Sequence, residues 1–445
     1  MFFSFVAFAF AQEPTALSLE EALRRAQAAS EDIVYAEAGV ESARGDKMGA
    51  TSGLLPQVSG SASYQHTFAS EYDGLFETPD AADGGASPFS GLPFGQADTY
   101  RVDLALSQTI WAGGRNRAAM RMADAGREVA GLSVESARAS AALAATQAYY
   151  DAALADQLVD IATGALTQAE TTAAHAKLAH EVGRQPEFEL VRADVEVQAQ
   201  RVVVIQQTRV RTIAHLQLKR LLDLPPDATL SLTTPLDDGT GPAEAAATVA
   251  AVGSGARAAV EQAEKAVRLS EASLALTRSQ RYPTLGASAN YGWVSYPSSV
   301  VPEFGEDAWR NNFTAGLVLS VPIFSGLRVT GELVSARAAL TQAEARLSQA
   351  GELAALDTAD ADAAIVAASA QWDATAGTVA QAERAYSIAE VRFQEGISTQ
   401  SELADARLLL QRARASRAQA ARDLQIARVR LALLPALPLG GAQSY

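Results

Sequence analysis

The chain has no cysteine, and histidine is scarce, with four residues among 445. The missing cysteines exclude disulfides, thiol chemistry, cysteine-based zinc sites and a lipid-modified N-terminal cysteine. His175 and His180 are five residues apart in a helical pattern and do not share a face. P-loop, G-x-S-x-G and H-E-x-x-H motifs are missing as well. We therefore predict no enzyme, no cofactor and no metal site.

Basic residues are in deficit, with 36 Lys and Arg against 51 Asp and Glu, and the net charge is −15. A nucleic-acid-binding protein is expected to carry a basic face, so this balance argues against that class. Aromatic residues make up only 7%, while alanine is abundant, which favours helices packed closely through small side chains. No run after the N-terminus reaches the ~18 apolar residues of a membrane helix. A membrane-inserted form would have to be a closed barrel, because open sheet edges cannot face lipid.

A duplicated junction organises the rest of the chain. Residues 312–337, NFTAGLVLSVPIFSGLRVTGELVSAR, change from a strand period of two to a helical period across Pro322 and Gly326. Residues 100–121, YRVDLALSQTIWAGGRNRAAMR, show the same change. Four positions recur 213 residues apart, which indicates a tandem duplication: Ser107, Ile110, Gly113 and Arg115, followed by Ser320, Ile323, Gly326 and Arg328.

We predict the following division of the chain. Residues 1–11, MFFSFVAFAFA, are expected to be a signal peptide ending in a small-x-small cleavage pattern, with a buried N-terminal strand as the alternative. Repeat 1, residues 12–222, holds a helix from Leu17 to Ser52, strands 57–68 and 99–111 around a long loop, a long helix and a return helix. A linker covers 223–255. Repeat 2, residues 256–434, has strands 284–295 and 311–324 in the same order, and residues 435–445 form a tail.

The two long helices, 115–181 and 328–394, contain no proline and would each measure roughly 100 Å. Each ends at a glycine, Gly183 or Gly396, where we predict a reversal into the return helix. The second return helix carries apolar positions at spacings of three and four, which predict a left-handed coiled coil. These positions include Leu403, Ala406, Leu410, Ala413, Ala420, Leu424 and Leu431.

The strands alternate apolar and polar residues and are long enough to cross a bilayer when tilted. We expect Leu104, Leu106, Leu317 and Leu319 to face lipid, and the residues of the opposite face, Arg101, Asp103, Thr314 and Ser320, to face a lumen. Four strands cannot close a barrel, since membrane barrels have at least eight. Closure therefore requires several chains.

The order of these motifs resembles the TolC family of outer-membrane efflux and secretion channels over nearly the whole chain. The matching segments are LSLEEALRRAQAASEDI followed by GLLPQVSGSASY, the junctions TIWAGGR and PIFSGLR, and the turns HEVGRQPEFELVRADV and RFQEGISTQSELADARLLL. The sequence departs from the family in its missing cysteine and at residues 184–187.

The resemblance implies a mainly α fold with transmembrane β structure: long helical hairpins form a periplasmic α-barrel, and four strands per chain contribute to a trimeric twelve-stranded outer-membrane β-barrel. It implies a passive exit duct of a tripartite efflux or type I secretion system in a Gram-negative bacterium. The expected partners are outer-membrane lipid, a periplasmic adaptor (membrane fusion) protein and an inner-membrane RND or ABC-type transporter. The alternative function is a secreted coiled-coil adhesin or structural scaffold, which would have no transmembrane strands.

Two candidate sites follow. Glu402 and Asp405 match the acidic residues that line the periplasmic constriction of the family, and Glu189 is the repeat 1 counterpart of Glu402. The alternative for Glu402 is a capping box with Thr399. The helix reversals are the expected adaptor-docking tip, formed by Gly183, Arg184, Gly396 and Ile397.

Overall fold

A computed structural model of the chain describes residues 15–69, 97–184, 186–236, 257–297 and 308–440. The expected signal peptide, residues 1–11, lies outside these ranges. So do most of the predicted loops, most of the linker and the end of the tail.

Helices dominate the described residues, and six strands accompany them. In chain order the elements are β1 (Thr15–Leu17), α1 (Leu19–Ala29), α2 (Glu31–Ser52), β2 (Gln57–His66), β3 (Asp98–Trp111), α3 (Arg115–Glu181), α4 (Glu187–Leu221), β4 (Leu230–Leu232), α5 (Ala258–Ser279), β5 (Thr284–Ser295), β6 (Arg310–Ser320), α6 (Arg328–Gln394) and α7 (Gln400–Leu433). The long helices α3 and α6 each have 67 residues and the bounds expected from the sequence. None of the described helices combines the length and apolarity needed to cross a membrane.

The chain divides into two compact units that cut across the repeats. The helical unit comprises Met1–Val40, Glu128–Glu264 and Ala345–Tyr445. The sheet unit comprises Glu41–Arg127 and Lys265–Glu344. Each unit takes residues from both repeats.

In the sheet unit, four antiparallel strands pair in the order β2-β3-β5-β6. The register places Leu104 opposite Tyr291, and Leu317 opposite Ala287, so these apolar residues share one face. Asp103 lies opposite Gly292 and Thr314 opposite Asn290 on the other face. The polar face, including Ser107, Thr109 and Ser288, borders a hollow of about 350 Å³. The predicted apolar and polar faces are therefore separated by the sheet.

A β-bulge interrupts the pairing of β3 and β5. Thr109 pairs with Gly286, but the next partner, Leu285, lies opposite Trp111, so Ile110 is an extra residue. The bulge shifts the side-chain alternation by one position. Because of it, Trp111 continues the face of Leu104 and Leu106 instead of the polar face.

Two strands end earlier than predicted. The strand expected over 311–324 stops at Ser320, whose partner Thr284 is the first residue of β5 and follows Pro283. Beyond this point Pro322 has no N–H to donate, so the ladder cannot continue. The strand expected over 57–68 stops at His66, which pairs with Asp98, the first residue of β3.

The single helix expected from Leu17 to Ser52 is two helices separated at Ser30. Ser30 has an extended backbone with ψ of 116°, and its hydroxyl accepts a hydrogen bond from the Ile33 amide, so it caps α2. Leu17 belongs to β1, which pairs in parallel with β4. The sequence analysis missed both short strands, because three residues carry no usable period.

The junctions between strand and helix require positive φ angles. Gly113 and Gly114 have φ of 57° and 87°, and their counterparts Gly326 and Leu327 have φ of 62° and 69°. A Cβ at Gly113 would lie 2.4 Å from the Cβ of Tyr282, so the position excludes larger residues. The tight turn directs β3 into α3 without a loop.

The two faces of β6 give a direct test. Leu317 is 69% exposed in the single chain, on the apolar face, and Thr314 lies on the polar face. We expect Leu317→Arg to cost up to about 2–4 kcal/mol on insertion into lipid, and Thr314→Arg much less. Urea titration of refolding into phospholipid vesicles measures both costs. Equal insertion of the two variants would show that the faces are assigned wrongly.

Candidate functional site

The two helix reversals have the same backbone geometry. Gly183 and Gly396 have φ of 75° and 73°. After the first, the amide of Arg184 donates to the Ala179 carbonyl at 2.8 Å, and after the second, the amide of Ile397 donates to the Arg392 carbonyl at 2.8 Å. These bonds define Schellman motifs, which satisfy the carbonyls at the end of each long helix. Glycine is needed here because the motif places this residue in the left-handed region.

The return helices begin differently. The hydroxyl of Thr399 accepts a hydrogen bond from the Glu402 amide at 3.4 Å and caps α7. Pro186 precedes α4 and provides no side-chain cap. Half of the capping box considered for Glu402 is therefore present, and the Glu402 carboxylate itself is exposed.

The candidate acidic residues have different surroundings. Glu402 and Asp405 are both exposed, three residues apart on α7. Glu189 is half-buried on α4, and the Gln400 amide, oriented so that both its atoms have partners, donates to its carboxylate and carbonyl oxygens at 3.0 Å each. The structure thus brings Glu189 against the start of α7, while Glu402 and Asp405 have no ion pair with any residue that the structure describes. Within the described ranges, no group of three or more Asp, Glu or His could hold a metal ion.

The reversals also present apolar side chains to solvent. Ile397 is 69% exposed, and Leu178, Val182 and Phe188 near the other reversal are exposed as well. Arg184 is exposed beside them. Exposed apolar residues at both reversals are features that protein interaction sites share.

A seam of polar contacts joins α4 and α7 in the helical unit. It consists of three pairs, and in each pair the two residues are 211 positions apart. The pairs are Gln400 with Glu189, Arg407 with Glu196 at 3.8 Å, and Gln411 with Gln200 at 3.0 Å. The spacing follows the helical period along both helices, so the two return helices run in register.

Arg407 is the most buried member of this seam, with a side chain only 3% exposed. It donates to the Thr172 hydroxyl of α3 at 2.9 Å, so it links three helices, while its Nε has no hydrogen-bond partner in the part of the chain that the structure describes. The sequence analysis missed this residue. Its position between Leu403 and Leu410, four and three residues away, was a signal that it lies on the buried face of the predicted coiled coil.

The predicted coiled-coil positions of α7 are mostly buried, including Leu403, Leu410 and Leu424. Further toward the C-terminal end of α7, the Arg417 guanidinium stacks on the Trp372 ring of α6, 3.7 Å from the ring centre. Burial alone would lower the pKa of Arg422, but its hydrogen bonds to Asp423 and Asp151 hold that pKa above its ordinary value. Cation–π and ion-pair contacts therefore tie α7 to both long helices.

The middle of α3 carries the main core of the helical unit. Tyr149 and Tyr150 are fully buried in this core. The Tyr149 hydroxyl donates to the Leu17 carbonyl at 3.0 Å and accepts from the Thr234 amide at 3.0 Å. This side chain fastens the β1–β4 pair, and with it the described start of the linker, to the long helix.

Comparison with known protein families identifies the family of this chain. The model of the outer membrane efflux protein family matches residues 22–223 and 255–435, which is most of the chain. The chain belongs to this family. The unmatched interval between the two segments coincides with the predicted linker, and the match ends where the predicted tail begins.

Solved structures with the same fold are outer membrane channels. VceC of Vibrio cholerae is 20% identical to this efflux protein, with a TM-score of 0.74 over 95% of this chain and 96% of that one. CmeC of Campylobacter jejuni is 17% identical, with a TM-score of 0.77 over 95% and 86%. MtrE of Neisseria gonorrhoeae, solved in an open state, is 19% identical, with a TM-score of 0.74 over 96% and 91%. No curated protein sequence is significantly similar to the chain.

Family membership confirms the resemblance noted from the sequence, the mainly helical fold class and the outer-membrane localisation. The family consists of efflux proteins, and the solved relatives are channels. The alternative of a secreted adhesin or scaffold has no support from these comparisons.

The buried ion pair of the seam predicts a change in stability. Glu196→Ala would leave the buried Arg407 charge without its acid, and we expect a loss of about 1–3 kcal/mol in unfolding free energy. Replacing both residues with methionine should recover most of this loss, because the uncompensated charge is then removed. Denaturant-induced unfolding, monitored by circular dichroism, measures the unfolding free energy of both variants.

Glu383→Ala is the matched control, since it removes the acid from the exposed Arg414–Glu383 pair between α6 and α7. That change should alter the unfolding free energy by less than about 1 kcal/mol. Equal effects of the Glu196 and Glu383 substitutions would contradict a special role for the buried pair.

Proposed function

We propose that this protein is the outer-membrane exit duct of a tripartite efflux or type I secretion system. The observation that carries the proposal is that two strands of the two-faced sheet, β3 and β6, are each followed after a short junction by a 67-residue helix. The apolar sheet face suits lipid and the polar face suits a water-filled lumen. We propose that the duct is passive and that its substrates are delivered by an inner-membrane pump.

We propose a homotrimer, because the strand order leaves two edges that other copies must pair and the family resemblance implies three copies. In one chain β2 and β6 are the edges of the sheet and have backbone groups without partners. Such edges are not tolerated in hydrocarbon. Pairing β6 of one copy with β2 of the next, three times, gives a closed barrel of twelve strands. The exposed apolar stripe of α4, which includes Val191, Val195, Val202 and Ile205, also needs a partner surface, and neighbouring copies supply it.

The helix reversals are the proposed docking tip for a periplasmic adaptor protein, which would connect the duct to an inner-membrane RND or ABC-type transporter. The exposed apolar residues around Gly183 and Gly396, with Arg184 and Ile397 beside them, support this assignment. Both reversals lie in the helical unit, at the ends of α3 and α6 that are remote in sequence from the strands.

The proposed aperture is formed by Glu402 and Asp405. Three copies would gather six exposed carboxylates near the start of α7, a ring that attracts cations. The Glu189 carboxylate accepts a hydrogen bond from the Gln400 amide and is not counted in this ring. We propose that Glu189 supports the aperture by positioning α7 against α4.

Planar-bilayer conductance of the purified protein tests the duct, and absence of any pore would overturn the proposal. For the aperture, we expect Glu402→Ala with Asp405→Ala to lower cation selectivity and weaken block by polyvalent cations, because the ring of negative charge is lost. Glu395→Ala, an exposed acid in the turn itself, is the control. A double variant with lower thermal stability and unchanged selectivity would show that Glu402 only serves helix capping.

The docking tip is tested by photocrosslinking. A photoreactive residue placed at Arg184 or Ile397 should capture the adaptor, because both side chains are exposed at the reversals. The same photoreactive residue at Phe68, which is exposed two residues after the end of β2, should not capture the adaptor. Adaptor captured only from Phe68 would refute the placement.

A further inference from the structure

The apolar face of the sheet ends in a pair of exposed side chains at the β3–α3 junction. Ile110 and Trp111, at the bulge, are 54% and 48% exposed. Leu54, exposed in the turn before β2, lies with them around one hollow of about 550 Å³. An amphipathic tryptophan at the end of an apolar strand face is typical of the boundary between hydrocarbon and lipid headgroups.

Two arginines form another wall of the same hollow. Arg117 and Arg121 are exposed, four residues apart in the first turns of α3. Neither makes a side-chain hydrogen bond or ion pair within the residues the structure describes. Asp124, also in the wall, is already bound to Lys47 at 2.8 Å.

This placement of positive charge is unfavourable for the protein alone. Like charges four residues apart on a helix repel each other. Cations also interact unfavourably with the N-terminal end of the helix dipole, and α3 has no acidic residue in its first turn to offset them. A bound anion would relieve both effects.

The second junction lacks this arrangement. The positions 213 residues after Arg117 and Arg121 are Thr330 and Val334. The arginine that is present there, Arg328, forms an ion pair with Glu332 at 2.7 Å and donates to Gln280 at 3.0 Å. The free basic pair is thus a property of the first junction and not of the duplicated fold.

We propose that this hollow binds an anionic phospholipid of the periplasmic leaflet, with the phosphate on Arg117 and Arg121 and the start of an acyl chain against Ile110, Trp111 and Leu54. Arginine suits this ligand because its planar fork donates two hydrogen bonds to a phosphate. The apolar wall is continuous with the apolar face of the sheet, which we propose to face lipid. The acyl chain would therefore pass from the hollow directly into the membrane. The assignment of the leaflet rests on the proposed function, in which the helices extend into the periplasm.

The experiment is native mass spectrometry of the detergent-purified oligomer, titrated with phosphatidylglycerol or with phosphatidylcholine of the same acyl chains. An arginine at an anionic membrane surface favours binding by about fivefold, so we expect the wild type to prefer phosphatidylglycerol by at least that factor. The variant Arg117→Gln/Arg121→Gln should bind the two lipids equally. Arg328→Gln, the matched change at the other junction, should keep the wild-type preference.

Quenching by brominated phosphatidylglycerol locates the lipid in a protein whose other tryptophans are replaced by phenylalanine. Brominated phosphatidylglycerol should quench the fluorescence of Trp111 more strongly than brominated phosphatidylcholine does. In the Arg117→Gln/Arg121→Gln variant the two lipids should quench it equally.

Equal binding of both lipids to the wild type, or an unchanged preference in the double variant, would overturn the site. Stronger binding of lipopolysaccharide than of phosphatidylglycerol would show that the occupant is wrong. Conductance of the same preparations separates this inference from the duct: pores without lipid preference contradict only the lipid site, whereas absence of pores contradicts the proposed function.

Discussion

Backbone hydrogen bonding at the edges of the sheet is the constraint on which the rest of this structure depends. One chain supplies four antiparallel strands and leaves β2 and β6 with open edges. In hydrocarbon those edges must be paired, because no water replaces the missing partners. The proposed assembly of several copies would pair β6 of one chain with β2 of the next and so leave no edge open.

Each junction joins a strand to a long helix through residues with positive φ. In the first junction, β3 continues into α3 through Gly113 and Gly114. The same turn in repeat 2 places Leu327 at a positive φ, a conformation that is unfavourable for a branched side chain. The repeat has kept the backbone geometry even where the residue does not favour it, which indicates how strongly the junction is required.

Alanine and a few buried polar groups hold the helical unit together. The core around Tyr149 is rich in alanine, which lets helices approach closely but offers little shape to define their register. The polar seam supplies that register, since Arg407 and Gln411 find partners on α4 at one alignment only. Buried polar contacts of this kind contribute specificity more than stability.

The sequence by itself determined the long helices, the four strands with their two faces, the glycine reversals and the family, because each rests on a local period or turn signal repeated in two copies. It located Glu402, Asp405 and the reversal residues as candidates without showing their contacts. Only the tertiary structure decided that Gln400 holds Glu189, that Arg407 bridges to Thr172 and Glu196, that Leu17 pairs with Leu232, and that a bulge turns Trp111 toward the apolar face. These contacts join residues up to 235 positions apart, and no local pattern records which distant partner a side chain will meet.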